Sequence, residues 1–156
     1  MKIGRITLSD RASSGVYEDL SGPEIERIVS GIFSMPCEWV RVLLPDDRMQ
    51  IETTLRRLAD EEGCTLIFTT GGTGPSARDV TPEATKAVLE KELPGFGEIM
   101  RMHSYEKVKT AILSRSTAGI RGRSLIINLP GRPSAIAECI PLIAPAIIEA
   151  IDHIAH

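Results

Sequence analysis

Short runs of strand-forming apolar residues alternate along this chain with segments whose apolar residues recur at helical spacing. The strand-like runs lie at residues 2–8, 39–44, 65–69 and 125–128. This alternation predicts an α/β domain. The run at 65–69, TLIFT, is short and continuous in its apolar character, which is typical of a parallel strand covered on both faces. We therefore predict a three-layer α/β/α sandwich with a mostly parallel, mixed sheet, formed by residues 1–156 as one domain.

Local signals indicate where helices and turns lie. Ser21 and Glu24 have the spacing of a capping box, which predicts that a helix begins there. Glycine turn signals within residues 111–123 predict a hairpin that leads into the last strand. A long stripe of isoleucines follows, and we expect Pro141 and Pro145 to kink or split its helix.

The charge and cysteine content disfavour several functional classes. The formal net charge is −3, whereas a large nucleic-acid surface needs an excess of basic residues. Cys37, Cys64 and Cys139 are far apart and form no CxxC motif, so we expect reduced thiols and no protein zinc site. The N-terminus predicts a strand rather than a signal peptide, and no stretch approaches the roughly 20 apolar residues of a membrane span. We expect a cytoplasmic protein with no membrane or nucleic-acid partner.

Polar residues follow all four predicted strands, at the carboxyl ends where open α/β sheets bind ligands. The four segments are Ser9-Asp10-Arg11, Pro45-Asp46-Asp47, Thr70-Gly71-Gly72-Thr73-Gly74 and Asn128-Leu129-Pro130-Gly131. Their convergence on one edge of the sheet predicts a ligand site there.

The glycine-rich segment is the strongest of these signals. Gly71, Gly72 and Gly74 permit positive φ angles, so backbone N–H groups can point together and form an anion-binding nest. Thr73 adds a hydroxyl donor. The segment lacks the GK[ST] of a Walker loop, and Pro75 disfavours a dinucleotide fingerprint because the next helix begins too late. The alternative is an ordinary tight turn after a buried strand.

Carboxylates near this loop indicate a cation. Asp79 would repel a bound phosphate unless a cation such as Mg²⁺ lay between them, and Asp46 adds a carboxylate from another strand end. Either aspartate could instead cap a helix, although Asp47 can perform that task beside Asp46.

Other polar residues leave alternatives open. Asn128 suits a planar heterocycle or a ribose, but it could equally form a turn beside Pro130 and Gly131. Arg115 follows Ser114 in the predicted hairpin and could bind a phosphate in bidentate fashion or lie solvated on the surface.

Six motifs occur in an order that resembles a known family. They are SDRASSGVYEDLSGP, LLPDD, TTGGTGPSARDVTPEAT, PGFGE, AILSRSTAG and NLPGRP, and together they cover nearly the whole chain. This family includes bacterial molybdopterin adenylyltransferases and the matching domain of plant and animal molybdenum-cofactor proteins. The resemblance implies the molybdopterin-binding form of the three-layer fold, usually assembled as a homotrimer.

The resemblance implies adenylyl transfer, in which the terminal phosphate of molybdopterin attacks the α-phosphorus of Mg-ATP and pyrophosphate leaves. It implies Mg²⁺ as cofactor, ATP as co-substrate, and hand-over of the product to a molybdate-inserting enzyme. The implied catalytic and metal-binding residues are Asp46 and Asp79. The implied substrate contacts are Gly71, Gly72, Thr73, Gly74, Ser114, Asn128, Pro130 and Gly131, and the implied nucleotide contacts are Ser9, Asp10 and Arg11. A protein that binds molybdopterin without transferring adenylate is the alternative.

Overall fold

The strands of this protein form one six-stranded sheet. The computed structural model describes residues 1–156, and its strands are β1 (Lys2–Leu8), β2 (Glu38–Leu44), β3 (Leu66–Thr70), β4 (Lys91–Glu92), β5 (Ala118–Arg121) and β6 (Ser124–Leu129). Their order across the sheet is β2-β1-β3-β6-β5-β4. β2, β1, β3 and β6 are parallel to one another, and β5 is antiparallel to both of its neighbours. The mostly parallel, mixed sheet is confirmed. The predicted hairpin is β5–β6, with Gly122 at a φ of 55° in its turn.

Helices cover both faces of this sheet. They are α1 (Asp10–Ser13), α2 (Ser21–Ile32), α3 (Arg48–Arg56), α4 (Thr81–Val88), α5 (Gly95–Tyr105) and α6 (Pro133–Ala155). A π-helical turn, Arg57–Glu61, continues α3, and a 3-10 helix, Lys109–Leu113, follows α5. The buried side chains of α2, α5 and α6 form one core with the sheet, and those of α3 and α4 form the other. The three predicted layers are confirmed.

Strand β3 shows why the sheet needs two helical layers. All five of its residues are buried. Phe68 contributes to the core beneath α2, α5 and α6, whereas its neighbour Ile67 contributes to the core beneath α3 and α4. Full burial of a side chain of this kind contributes about 1.5–3 kcal/mol. A continuous apolar run is therefore favourable only where both faces are covered.

The start of α2 differs from the capping-box prediction. Ser21 is the first helical residue, and its hydroxyl donates to the carbonyl oxygen of Gly131 at 2.6 Å. The carboxylate of Asp19 accepts the N–H of Gly22 at 3.0 Å instead. Ser21 therefore ties α2 to the loop after β6 rather than to its own first turn.

Helix α6 is neither split nor interrupted at its prolines. Pro141 and Pro145 both lie inside one continuous helix. By length and composition this helix could cross a membrane, contrary to the expectation that no segment would approach that length. Its buried face, which includes Ile140 and Ile147, packs into the core with α2 and the sheet. That packing gives the apolar composition a structural reason within the domain.

Candidate active site

The loops after β1, β2, β3 and β6 meet at one edge of the sheet. The Oδ1 atom of Asp10 accepts the N–H of Asp46 at 2.9 Å, and Asp46 Oδ2 accepts the N–H of Asp10 at 3.2 Å. These two bonds join the loops after β1 and β2. Thr70 donates its hydroxyl to the carbonyl oxygen of Pro130 at 2.6 Å, which joins the loops after β3 and β6. The four polar strand ends therefore converge, as parallel topology requires.

The glycine-rich loop adopts a backbone shape that other residues rarely reach. The φ angle is 96° at Gly71 and 67° at Gly72. A Cβ atom on Gly71 would collide with the carbonyl oxygen of Leu8, and one on Gly72 would collide with Thr81 Oγ1. Thr81 donates its hydroxyl to the Gly71 carbonyl at 2.9 Å and its N–H to the Gly72 carbonyl at 3.2 Å. The loop is thus held between the end of β1 and the start of α4.

Two adjacent aspartates have different environments: Asp47 caps a helix, whereas Asp46 lies beside the glycine-rich loop. Asp47 is the N-cap of α3 and accepts the N–H of Gln50 at 3.0 Å. Asp46 Oδ1 is buried and has no hydrogen-bond partner. Burial raises the pKa of the Asp46 carboxyl group, and the charges of Asp10 and Asp79 act in the same direction. A cation would neutralise this buried, unpartnered oxygen.

Asp79 folds back onto the glycine-rich loop. Its Oδ2 atom accepts the N–H of Ser76 at 3.1 Å and the hydroxyl of Ser76 at 2.6 Å. A Cβ atom on Gly74 would lie 2.8 Å from the same oxygen, so glycine permits this close approach. We refer to Asp10, Asp46 and Asp79 as the acidic cluster.

An arginine from the same loop bonds to the acidic cluster. Arg78 donates from Nε and Nη2 to the two carboxylate oxygens of Asp10, at 2.9 and 2.8 Å. This bidentate bond is the largest of the influences that hold the pKa of Asp10 below its usual value. Sequence reasoning did not include Arg78 among the site residues, because nothing in its spacing predicts a partner 68 positions away.

The predicted nucleotide loop forms the short helix α1. Ser9 is its N-cap and accepts the N–H of Ala12 at 3.1 Å. Arg11 is exposed on this helix, and Asp10 faces Asp46. Ser9 and Arg11 therefore flank Asp10, which belongs to the acidic cluster.

The Arg115 side chain is hydrogen-bonded to residues 74–83. Its Nε donates to the carbonyl oxygen of Gly74 at 2.9 Å, and its Nη2 donates to the carbonyl oxygen of Asp79 at 2.8 Å. Its Nη1 donates to the carboxylate of Glu83, and this bond lowers the pKa of Glu83. All three guanidinium nitrogens are bonded within the protein.

Asn128 lies inside β6 and is fully buried, so it is not a turn residue. Its Nδ2 donates to the hydroxyl oxygens of Thr69 and Thr85, each at 2.9 Å. Its Oδ1 accepts the N–H of Thr117 at 3.2 Å. These bonds link β6 to β3, to α4 and to the start of β5. They leave neither amide hydrogen for a ligand.

A cleft of about 360 Å³ opens next to the glycine-rich loop. It is lined by four of the predicted substrate residues, namely Thr73, Ser114, Pro130 and Gly131. The cleft and the acidic cluster both border the loop, but no residue of the acidic cluster lines the cleft.

The chain matches a known protein family over most of its length. The family model described as "Probable molybdopterin binding domain" matches residues 4–149. The chain belongs to this molybdopterin-binding family. A molybdopterin adenylyltransferase from Helicobacter pylori J99 is 55% identical over 150 residues, which cover 96% of this chain and 85% of that protein. The molybdopterin adenylyltransferase of Escherichia coli K12 is 51% identical over 138 residues, which cover 88% of this chain and 71% of that protein.

Solved structures of related molybdenum-cofactor proteins share the fold. The molybdopterin biosynthesis enzyme MoaB from Thermus thermophilus superposes with a TM-score of 0.89 at 40% identity, covering 98% of this chain and 95% of that chain. A MogA structure has the same TM-score at 35% identity and covers 99% of both chains. The molybdopterin-binding form of the three-layer fold is confirmed.

The cleft of this molybdopterin-binding domain also contains basic residues that sequence reasoning missed. They are Arg101, Lys107 and Arg132. Arg101 donates to the carbonyl oxygen of Ser116 at 2.9 Å, and Lys107 donates to Glu138 at 2.8 Å. Arg132 belongs to the NLPGRP motif, but no motif marks Arg101 or Lys107, because the segments that carry them meet the loop after β6 only through tertiary packing.

Proposed function

We propose that this protein is a molybdopterin adenylyltransferase, which transfers AMP from Mg-ATP to the terminal phosphate of molybdopterin and releases pyrophosphate. The observation that carries the proposal is the acidic cluster against the glycine-rich loop, where Asp46 keeps a buried carboxylate oxygen without a partner. In a domain that only bound a phosphate there, the three carboxylates of the acidic cluster would weaken the affinity for that phosphate, since like charges repel. The named activity of relatives that are 51% and 55% identical supports the same reaction.

The cleft supports an organic phosphate as one substrate. Its volume of about 360 Å³ falls within the range of small-molecule sites, roughly 300–1,000 Å³. Arg101 and Arg132 supply positive charge along its wall, where Lys107 is paired with Glu138, and Ser114 supplies a hydroxyl group. We propose that the pterin lies in this cleft and that its terminal phosphate reaches the loop at Thr73.

The acidic cluster fits Mg²⁺. Asp46 and Asp79 would hold the ion, because both carboxylates border the loop and Asp46 Oδ1 has no donor within the protein. No group of three or more His, Cys, Asp or Glu side chains is arranged to hold a metal ion. Phosphate oxygens and water would therefore complete the ligand set, as is usual for Mg²⁺. When bound, Mg²⁺ neutralises negative charge on the transferring phosphates.

The remaining chemistry needs positioning rather than a protein nucleophile. We propose that the loop N–H groups and the Thr73 hydroxyl bind phosphate oxygens. Ser9, Asp10 and Arg11 would contact the nucleotide, since they lie beside Asp46. In this role the loop lies between the pterin in the cleft and the nucleotide beside Asp46, and it binds the phosphates of both.

The domain extent, location and assembly of this protein are proposed from its family. We propose one molybdopterin-binding domain over residues 1–156, a cytoplasmic location, assembly as a homotrimer, and hand-over of the product to a molybdate-inserting enzyme. An exposed apolar surface supports an assembly. It includes Met102, Tyr105 and Ile112, which line one pocket and are exposed.

The test is pyrophosphate release from purified protein mixed with molybdopterin, ATP and Mg²⁺, with the adenylylated product identified by mass spectrometry. Asp79→Asn should lower turnover by about 10²–10³, the cost of removing one group that stabilises transition-state charge. Asp152→Asn, on the exposed end of α6, is the matched control and should leave turnover unchanged. A protein that binds molybdopterin but releases no pyrophosphate would be a binding protein, and the proposal would be wrong.

A further inference from the structure

Arg115 holds three carbonyl groups, two in the glycine-rich loop and one at Asp79. Its guanidinium binds the carbonyl oxygens of Gly74 and Asp79, and its own N–H donates to the carbonyl oxygen of Thr73 at 2.8 Å. These acceptors span the part of the loop that leads from the cleft to the acidic cluster. One residue therefore determines the direction of several peptide groups in that part.

The direction of these peptide groups decides whether the loop can bind an anion. In a trans peptide the C=O and the following N–H point in opposite directions. Because the Thr73 carbonyl accepts the main-chain N–H of residue 115, the N–H of Gly74 points away from that residue, whatever its side chain. The peptide after Gly74 has no N–H, since Pro75 follows. A Gly74 carbonyl turned toward a phosphate would repel it with no compensating donor, and the bond to Arg115 prevents that.

The same arginine also holds Asp79, through a hydrogen bond to its main-chain carbonyl oxygen. The Asp79 carbonyl accepts from Arg115, while its carboxylate accepts from Ser76. Glu83 pairs with the third guanidinium nitrogen, so the charge of Arg115 is matched inside the protein. A lysine could not replace this planar fork, because an ammonium group is a single point donor on a flexible stem.

We infer that Arg115 is a positioning residue of the proposed adenylyl transfer: its guanidinium keeps the Gly74 carbonyl turned away from the phosphate and holds the main chain of Asp79 in place. The inference rests on the proposed function. Under that function, Arg115 connects the end of the loop next to the cleft with Asp79 of the acidic cluster.

Arg115→Lys tests the inference, with Arg121→Lys as the matched control. Arg121 also donates to one carbonyl oxygen and one carboxylate, those of Val88 and Asp60, but it lies on β5 away from the loop. Arg115→Lys should lower kcat by about tenfold to a hundredfold, the scale expected when reacting groups are slightly misplaced, with a smaller change in the KM for ATP. Arg121→Lys should leave both constants unchanged.

Hydrogen exchange provides a readout that does not depend on turnover. In Arg115→Lys, the amides of Ser76 and Asp79, which are hydrogen-bonded within the segment that Arg115 holds, should exchange faster than in the wild type, whereas amides of β3 should not change. Binding of inorganic pyrophosphate to this variant should weaken at least fivefold relative to the wild type. Should Arg115→Lys not fold, Arg115→Gln is measured with the same expectations.

Three results separate the inference from the proposed function. Equal kcat values and equal amide exchange in Arg115→Lys and the wild type would overturn the inference. So would losses that Arg121→Lys reproduces. If the wild type itself releases no pyrophosphate from ATP, the proposed function fails, and the exchange and pyrophosphate-binding measurements still decide whether Arg115 shapes the loop.

Discussion

Replacing Asp46 with asparagine tests whether the fold keeps a destabilising charge for the sake of function. Asp46 Oδ1 is buried without a donor, and the carboxylates of Asp10 and Asp79 are close enough to raise its pKa further. Asparagine has nearly the same shape, and its side-chain oxygen can still accept the N–H of Asp10. The bond from the Asp46 N–H to Asp10 is a main-chain donor and is unaffected. We expect a more stable protein that has lost most of its turnover.

This gain comes from removing a charge, since the asparagine amide still places a polar atom where Oδ1 lies. Burying a polar group without a partner costs about 1–3 kcal/mol, and more when the group is charged. Asp46 is only partly buried as a residue, so we expect a gain of about 1 kcal/mol, at the lower end of that range. For a chain of this size, that corresponds to a rise in Tm of about 2–4 °C.

The pH dependence has a definite sign. Because folding raises the pKa of Asp46, the folded state binds this proton more tightly than the unfolded state. The destabilisation is therefore fully present above the raised pKa and is lost as the pH falls through it toward the ordinary value. The stability difference between Asp46→Asn and the wild type should narrow on acidification.

Thermal and urea unfolding in the presence of EDTA measure the stability, and pyrophosphate release measures the turnover. Asp47→Asn is the control, because it makes the same chemical change one residue along. Asparagine caps helices as well as aspartate, so α3 keeps its cap and stability should change by less than about 0.5 kcal/mol. If Asp46→Asn is less stable than the wild type without metal, or if it turns over normally, the reasoning about a retained charge is refuted.

Three further changes test other parts of the structure. Gly72→Ala should lower the free energy of unfolding by about 1–3 kcal/mol, because φ is positive there and the new Cβ would collide with Thr81 Oγ1. Thermal unfolding measures this loss, and a titration with pyrophosphate measures anion binding. Wild-type values in both measurements would contradict the prediction. Asn128→Ala should cost about 2–4 kcal/mol through three lost hydrogen bonds, while molybdopterin affinity of the folded protein stays unchanged; lost affinity at normal stability would instead reveal a substrate contact. Glu26→Gln tests the ion pairs with Arg41 and Arg5, of which the bond from Arg41 is the main cause of the lowered pKa of Glu26. The wild-type advantage in urea unfolding should be full above the ordinary value of 4.5 and should disappear as the pH falls through the lowered pKa; a constant advantage would exclude these pairs.

Much of the architecture could be predicted from the sequence because it depends on short-range patterns. The residues at 65–69 predict a doubly covered strand, since apolar character on both alternating faces is favourable only between two layers. The glycines at 71, 72 and 74 predict a loop with positive φ angles, and Gly71 and Gly72 adopt them. The polar strand ends predict convergence, because parallel strands end at the same edge.

Local signals failed where a polar group had a distant partner. Ser21 has the spacing of a helix cap, yet its hydroxyl bonds to Gly131, 110 positions away. Arg115 is typical of a surface or ligand-binding arginine, yet it bonds to the loop and to Glu83. Hydrogen-bond donors take whichever acceptors the fold brings near, and sequence spacing carries no information about those positions.

The sequence alone determined that this chain forms a layered α/β domain, with a glycine-rich loop and aspartates at the ends of parallel strands. Periodicity and backbone sterics are local, so they can be recognised without the fold. Only the tertiary structure decided that Asp47 caps α3 while Asp46 keeps an unpartnered oxygen, and that Asn128 is buried beneath the loop. It also assembled the basic wall of the cleft from Arg101, Lys107 and Arg132. Burial and charge at a site depend on what several distant segments place around it, and that is settled only when the layers pack.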